Sequence, residues 1–369
     1  MNILILNWRD LKHSWAGGGE VYIFEQASRW VKLGHTVTVF CGQDVYNKLP
    51  EYEKIQGIHV YRRGGRYSLY FYAIWYYFTK FRNTTDIIID VENGIPFFTP
   101  LFTRLPKVCY VYHIHGSQFF YELPPIISHV GYFFERYIFP RVYRHTPIIA
   151  ISETTKRQLI NIGHPKKNIH VVYSGINGSG GTVKRSFSKF ANPTLLYLGR
   201  IKKYKRVDLL VTLFTHIIKQ IPKARLIIAG WGTEASHLTD IIMKSPLRRK
   251  ITLMGPVSEK EKRTLLSKAW VFVNPSIGEG WSIAVIEANL YGTPAAAFDV
   301  PGLTESIQHR KTGVLAKNEP DLIRYICEIL TKKVYRNTLN VNAIEWARRF
   351  SWDRSAKESL KILDISRKK

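Results

Sequence analysis

The chain is short of sulfur and of acid. Its 369 residues include 3 cysteines and 3 methionines. Cys41, Cys109 and Cys327 lie far apart. They form neither a metal-ligand spacing nor a disulfide framework, and a reducing cytoplasm is the expected compartment. Acidic residues number 28 against 54 Lys and Arg, for a formal net charge of +26. That excess says nothing about the fold. It points to an anionic partner: nucleic acid, an acidic membrane surface or a phosphorylated ligand.

Long apolar runs are lacking too. The best, residues 69–78, is studded with Tyr and falls short of the ~18–20 residues a spanning helix needs. The start, Met1-Asn2-Ile3-Leu4, already reads as a strand, with no basic segment or small-residue cleavage site, so no signal peptide is expected. There is no Asp-x-Asp metal motif, and Asp90-Val91-Glu92 is only a weak match. Gly17-Gly18-Gly19 is not the Gly-x-Gly-x-x-Gly fingerprint, which argues against a dinucleotide oxidoreductase.

What is present is a globular composition, 45% hydrophobic, at a length that suggests two domains. Residues 1–177 carry a net charge of +8 and the remainder +18. Of the Phe, Trp and Tyr residues, 33 fall in the first part. The shift supports a boundary near Asn177, where Gly178-Ser179-Gly180-Gly181 reads as a flexible linker.

Strands and helices alternate along both parts. Residues 2–7, 36–40, 87–90, 108–113 and 147–151 read as strands in the first, and 194–198, 225–229, 251–254, 271–273 and 294–298 in the second. The alternation predicts an α/β chain of two Rossmann-like, doubly wound domains, residues 1–177 and 178–352. Ligands of such sheets bind outside the carboxyl ends of the strands, so a cleft between the domains is the expected site.

The densest chemistry runs from Pro275 to Gly292. A strand ends at Asn274, Gly278 and Gly280 allow an irregular loop, and Ser282 suits the N-cap of the helix that follows. Free N–H groups there suit a pyrophosphate. Glu279 stands before that helix and Glu287 inside it. Carboxylates bind phosphate poorly but hold vicinal hydroxyls well, and a polyol joined to a diphosphate is a nucleotide sugar. A second cluster, Gly199-Arg200 with Lys202, Lys203, Lys205 and Arg206, follows a strand's carboxyl end. Cations there would neutralise a diphosphate leaving group.

These motifs resemble the retaining glycosyltransferases of family 4. The resemblance rests on Glu279-x7-Glu287 with Gly292-Thr293-Pro294, and on Gly17-Gly18-Gly19-Glu20, His113-Ile114-His115-Gly116, Gly199-Arg200 with Lys205, Gly230-Trp231-Gly232, Gly255-Pro256-Val257 and Phe350-Ser351-Trp352. It implies the GT-B fold, with a terminal helix at about 353–369 crossing back onto an N-terminal acceptor-binding domain.

The resemblance also implies roles. Glu279 contacts the transferred sugar and Glu287 the ribose; Arg200 and Lys205 hold the diphosphate; Gly280, Ser282, Ile283 and Ala284 offer the helix start to it. Gly18 and Gly19 permit close backbone approach, and Val257 and Glu259 line the base pocket. His115, favoured over His113 because it precedes Gly116, lies near the sugar. Ser174 and Trp281-Ser282 depart from the commoner Asn and Phe-Gly. With basic residues in place of a metal, no divalent ion and no cofactor are expected.

The implied reaction moves a sugar from a uridine or guanosine diphosphate sugar to a hydroxyl of a glycan or lipid-linked acceptor, as in surface polysaccharide or glycolipid biosynthesis. A nucleotide-sugar epimerase and a basic nucleic-acid-binding protein are the competing classes. The second explains neither the Glu pair nor the glycine loops, so no nucleic acid is expected. Residues 67–78, with Arg62, Arg63, Arg66, Lys80 and Arg82 around them, suit either a membrane interface or an aromatic core helix. The first reading predicts a cytoplasmic protein held peripherally on the inner leaflet.

Overall fold

The computed structural model describes residues 1–177 and 188–368, so the Gly178–Gly181 linker lies outside the described residues. The chain divides into two compact units, Met1–Gly175 with Trp352–Lys369, and Ile176–Ser351.

In the first unit the strands are β1 (Asn2–Leu6), β2 (Thr36–Cys41), β3 (Tyr52–Ile55), β4 (Ile58–Arg62), β5 (Ile87–Glu92), β6 (Lys107–Val111), β7 (Ile148–Ala150) and β8 (Ile169–Val171). They form one sheet in the order β3-β4-β2-β1-β5-β6-β7-β8. Every neighbouring pair is parallel except β3 with β4. In the second unit β9 (Thr194–Leu198), β10 (Arg225–Ala229), β11 (Ile251–Leu253), β12 (Val271–Asn274), β13 (Ala295–Phe298) and β14 (Gly313–Ala316) are ordered β11-β10-β9-β12-β13-β14, all parallel. In both sheets the first strand lies inside and the strand order reverses beside it. Doubly wound sheets open a crevice at such a reversal.

The central strands are apolar runs because helices cover both faces, so alternation is not needed. Ile3, Leu4, Ile5 and Leu6 are all buried, as are Ala295, Ala296 and Ala297. The β3–β4 hairpin escaped the sequence pattern. Its turn is Gln56-Gly57, both at positive φ (51° and 85°), where Asn-Gly would have been the plain signal. β8 and β14, of 3 and 4 residues, are too short for a periodicity to show.

The helix Trp352–Arg367 belongs to the first unit and lies along Gly18–Lys32. Small residues let the two approach. The Trp30 indole donates to the Ala356 carbonyl at 3.0 Å, and the Gln26 amide donates to the Ser355 hydroxyl at 2.8 Å. Trp30 is fully buried there.

The aromatic stretch divides its faces. Leu69, Ala73, Tyr77 and Phe81 are buried in the core, while Tyr67, Phe71, Trp75 and Phe78 are exposed. Arg62 is not one of its surface cations. It is buried and ion-paired to Asp10 at 2.7 Å and Glu53 at 3.0 Å, because it ends β4 pointing into the unit. Arg63, Arg66, Lys80 and Arg82 instead lie over the rings of Tyr72, Tyr67, Tyr61 and Phe78. All three cysteines are buried and free.

Candidate active site

In the second unit, β9 and β12 are neighbours at the strand-order reversal. Arg200 follows β9, and the loop of Glu279 follows β12. Lys205 ends a single 3-10 turn, Lys203–Lys205, and its ammonium bonds the Glu279 carboxylate. Burial pushes the Lys205 ammonium down, but the facing carboxylate outweighs it, and the group titrates above its ordinary range. Arg200 pushes the other way, so the two cations sit close enough to repel. The Arg200 guanidinium reaches the Tyr204 hydroxyl at 3.5 Å, and its carbonyl accepts from the Tyr197 hydroxyl at 2.7 Å.

Glu279 is fixed from several sides. The Ser276 hydroxyl donates to its Oε1 at 3.0 Å and the Asn274 amide at 3.2 Å. Its backbone N–H donates to the Pro301 carbonyl at 3.0 Å. Gly302 closes over that contact at φ 78°, where a Cβ would stand 2.0 Å from the Glu279 carbonyl. Only glycine fits there.

Ser282 occupies the N-cap position of Ile283–Leu290, but its hydroxyl makes no capping bond, contrary to the expectation. Asn274 has drawn it away, donating to that oxygen at 3.3 Å, and the Ser282 N–H donates to the Ser306 hydroxyl at 3.1 Å. Gly280 lies in the loop just before, and the first-turn N–H groups of Ile283 and Ala284 have no intrahelical acceptor by the geometry of any helix start. Glu287 lies one turn deeper. The Lys262 ammonium bonds it at 2.8 Å and also bonds Glu259 at 2.9 Å. Burial pushes the Glu287 carboxyl above its usual range, and Lys262 opposes that. Val257 is half-buried against the apolar cluster of β9 and β12, while Glu259 stands exposed at the rim. Among the described residues Glu279 and Glu287 therefore share no partner; each is held by its own lysine.

In the first unit, Gly18 and Gly19 open the helix Gly18–Lys32. A Cβ on Gly19 would meet the Tyr112 ring at 2.7 Å, so packing alone demands glycine there. Glu20 accepts from the Gly17 N–H at 2.7 Å and from Arg9 at 3.1 Å. β6 stops at Val111, so strand alternation does not set the faces of His113 and His115. Their rings lie 4.1 Å apart, and His115 stacks on Phe119 at 4.8 Å.

Glu135, which no sequence pattern marked, clamps this loop. Its two carboxylate oxygens accept the His115 and Gly116 N–H groups at 2.7 Å each, and His115 Nδ1 lies 3.3 Å away. Glu92 ends β5, accepting from the Gly94 N–H at 2.6 Å through one oxygen. The other is buried without a hydrogen-bond partner among the described residues. Ligand atoms of Glu92, His115 and Glu135 lie within 4.8 Å of one another. Bonds of ~2.1 Å would draw a metal's ligands to within about 4.2 Å, and both Glu135 oxygens already serve backbone N–H groups. Burial pushes the Glu92 carboxyl up to about 8, with His115 working against burial.

Lys262, Asn274 and Ser276 also went unmarked in the sequence. Ser276 lies within the segment already singled out and Asn274 directly before it, and Lys262 follows Glu259 at i+3, a spacing that seats a salt bridge on any helix.

Residues 16–179 match the family model described as Glycosyltransferase Family 4, and residues 183–346 match Glycosyl transferases group 1. An uncharacterized glycosyltransferase of Methanocaldococcus jannaschii is 26% identical over 394 residues, covering 99% of this chain and 98% of its own. The chain spans about half the length of other curated relatives it matches. Among these is a D-inositol 3-phosphate glycosyltransferase of a Nocardioides species, 26% identical with 52% of its length covered. Among solved structures, sucrose-phosphate synthase from Thermosynechococcus elongatus superposes at a TM-score of 0.79 and 18% identity, over 99% of this chain and 98% of that one. HepE of Anabaena in complex with UDP-glucose does so at 0.77 and 16%, over 99% and 100%.

Proposed function

The chain belongs to the glycosyltransferases of group 1 and family 4, with the GT-B fold, and we propose that it moves a sugar from a uridine or guanosine diphosphate sugar to a hydroxyl acceptor with retention of the anomeric configuration. The observation that carries the proposal is the Lys205–Glu279 pair with Arg200 beside it, at the carboxyl ends of two strands that flank a reversal of strand order. A carboxylate suited to sugar hydroxyls and two cations suited to a diphosphate meet there within one loop cluster. UDP-glucose in the Anabaena neighbour favours such a donor.

In this reading Arg200 grips the diphosphate by its planar fork while Lys205 acts as a point charge. Negative charge grows on the phosphate as the bond to the anomeric carbon breaks, and both cations stabilise it. Ile283 and Ala284 present first-turn N–H groups to the same phosphate, with Gly280 leaving room for it. Glu279 orients the sugar, Glu287 the ribose, and Val257 and Glu259 border the base. His115 hydrogen-bonds the sugar from a loop that Glu135 holds rigid, and Gly18 and Gly19 border the donor or the acceptor. Because fixed cations take the leaving-group charge, turnover needs no divalent ion.

The acceptor belongs to the first unit. Exposed Phe71, Trp75 and Phe78 with Arg63, Arg66, Lys80 and Arg82 suit an anionic membrane surface and hence a lipid-linked glycan acceptor. A role in surface polysaccharide or glycolipid synthesis follows. No described helix is long and apolar enough to cross a membrane, so the attachment is peripheral.

The test is release of nucleoside diphosphate from a panel of UDP and GDP sugars, with the product anomer read by NMR. Turnover of one donor, unaffected by chelator and retaining configuration, is the expected result. Strict dependence on magnesium or manganese, or an inverted product, would overturn the corresponding part.

A further inference from the structure

Lys262 stands one turn into the helix Glu259–Lys268, bonded to two carboxylates at once, Glu287 at 2.8 Å and Glu259 at 2.9 Å. Two carboxylates around one lysine would be an ordinary surface network if all three were exposed. Only Glu259 is, with 69% of its side chain accessible; Lys262 and Glu287 show 19% and 20%.

Glu287 rides on a helix whose neighbouring residues Val285, Ile286, Ala288, Asn289 and Leu290 are buried. Burial there works against its charge and pushes the carboxyl up, and Lys262 is the group that opposes this. Charge state matters for a vicinal diol. An ionised carboxylate only accepts hydrogen bonds and can take both hydroxyl protons, whereas the neutral acid turns one oxygen into a donor.

We propose that Lys262 is a positioning residue of the donor site, holding Glu287 as a fixed, ionised acceptor for the two ribose hydroxyls. The proposal rests on the reading above in which Glu287 takes the ribose. Glu259 holds the lysine from the rim, so that its ammonium does not swing to solvent. It also leaves Lys262, with three N–H donors, one to offer a ribose oxygen. The other titratable groups that face the pair are Glu259 on the lysine's helix and Tyr291 just past the end of the helix of Glu287, the latter also facing Arg263.

The test is calorimetric titration of the full chain and of Lys262→Met, Lys262→Gln and Lys262→Arg. The ligands are UDP, GDP, their 2′,3′-dideoxy forms and inorganic pyrophosphate, from about pH 5 to pH 8. Both neutral variants should lose about tenfold in affinity for UDP or GDP at neutral pH, and Lys262→Arg much less. Binding should fail at low pH, as Glu287 takes a proton, and the failure should move to higher pH in the neutral variants. The dideoxy ligands and pyrophosphate should bind wild type and variants alike.

An equal loss for dideoxy ligands would mark general damage to the site and overturn the proposal. So would unchanged affinity and pH midpoint in both neutral variants while wild type binds UDP or GDP. A wild type that bound no nucleoside diphosphate would instead overturn the donor reading, and this inference with it.

Discussion

The two units share one sheet grammar, but the carboxylates of the Glu279 loop and helix and those around the His115 loop are held in opposite ways. In the second, Glu279 and Glu287 are each bonded by a lysine. In the first, Asp90 and Glu135 are buried and held by uncharged donors. Asp90 accepts the Phe97 N–H at 2.9 Å and the Thr99 N–H at 3.1 Å, and Glu135 accepts two loop N–H groups. Glu92, beside them, has no lysine partner among the described residues, and burial pushes its carboxyl up to about 8. Paired cations can exchange a carboxylate partner for a phosphate with little cost in charge. Backbone N–H groups cannot leave, so carboxylates held by them fix loops. The contrast fits the donor role proposed for the second unit.

The largest effects should come from the lysine-held side. Arg200→Ala or Glu279→Gln should lower turnover by about 10²–10³; Arg200→Ala should leave the melting temperature nearly unchanged, while Glu279→Gln should lower it by leaving Lys205 unpaired. A variant with normal turnover would remove that residue from the site and blur the contrast. On the loop side the effects should be on folding. Trp30→Ala should cost about 3–5 kcal/mol, and Glu135→Ala about 2–4 kcal/mol through two unsatisfied N–H groups, both read by denaturant unfolding. If Glu135→Ala lowered turnover without loss of stability, the clamp would be chemistry and not scaffold.

A subtler effect concerns pH. Burial pushes the folded Glu92 carboxyl up to about 8 from an ordinary value of 4.5. Its contribution to stability is therefore fully present below pH 4.5 and is lost as pH rises through 8. Stability measured across that window should fall less in Glu92→Gln than in wild type. Equal slopes would show that Glu92 is ionised in the folded chain. The smallest change in stability, within about 0.5 kcal/mol, should follow Phe71→Ser with Trp75→Ser. Flotation with anionic liposomes at low salt should nonetheless drop severalfold. Unchanged flotation would leave the exposed aromatic face without its membrane.

Much of the second unit was legible because its site is local in sequence. Asn274, Ser276, Glu279, Ser282 and Glu287 fall within one strand–loop–helix passage, and short-range spacing conveys that geometry. The first unit was less legible. Glu92, His115 and Glu135 come from a strand end, a loop and a helix, and nothing in their spacing joins them. Arg62, which reads as one more surface cation beside the aromatic run, is drawn inward by Asp10, fifty-two positions earlier in the chain.

By itself the sequence determined the α/β alternation, the two-part division of charge and aromatics, and the ordered motifs of a glycosyltransferase. These rest on periodicity, composition and contacts between near neighbours, which a linear reading preserves. Only the tertiary structure decided which lysine meets which carboxylate, that the Ser282 hydroxyl serves Asn274 and not its helix, and that the Glu92 carboxyl is pushed upward by burial. Those outcomes depend on burial and on partners distant in sequence. The free energy of a buried charge is set by what surrounds it in space.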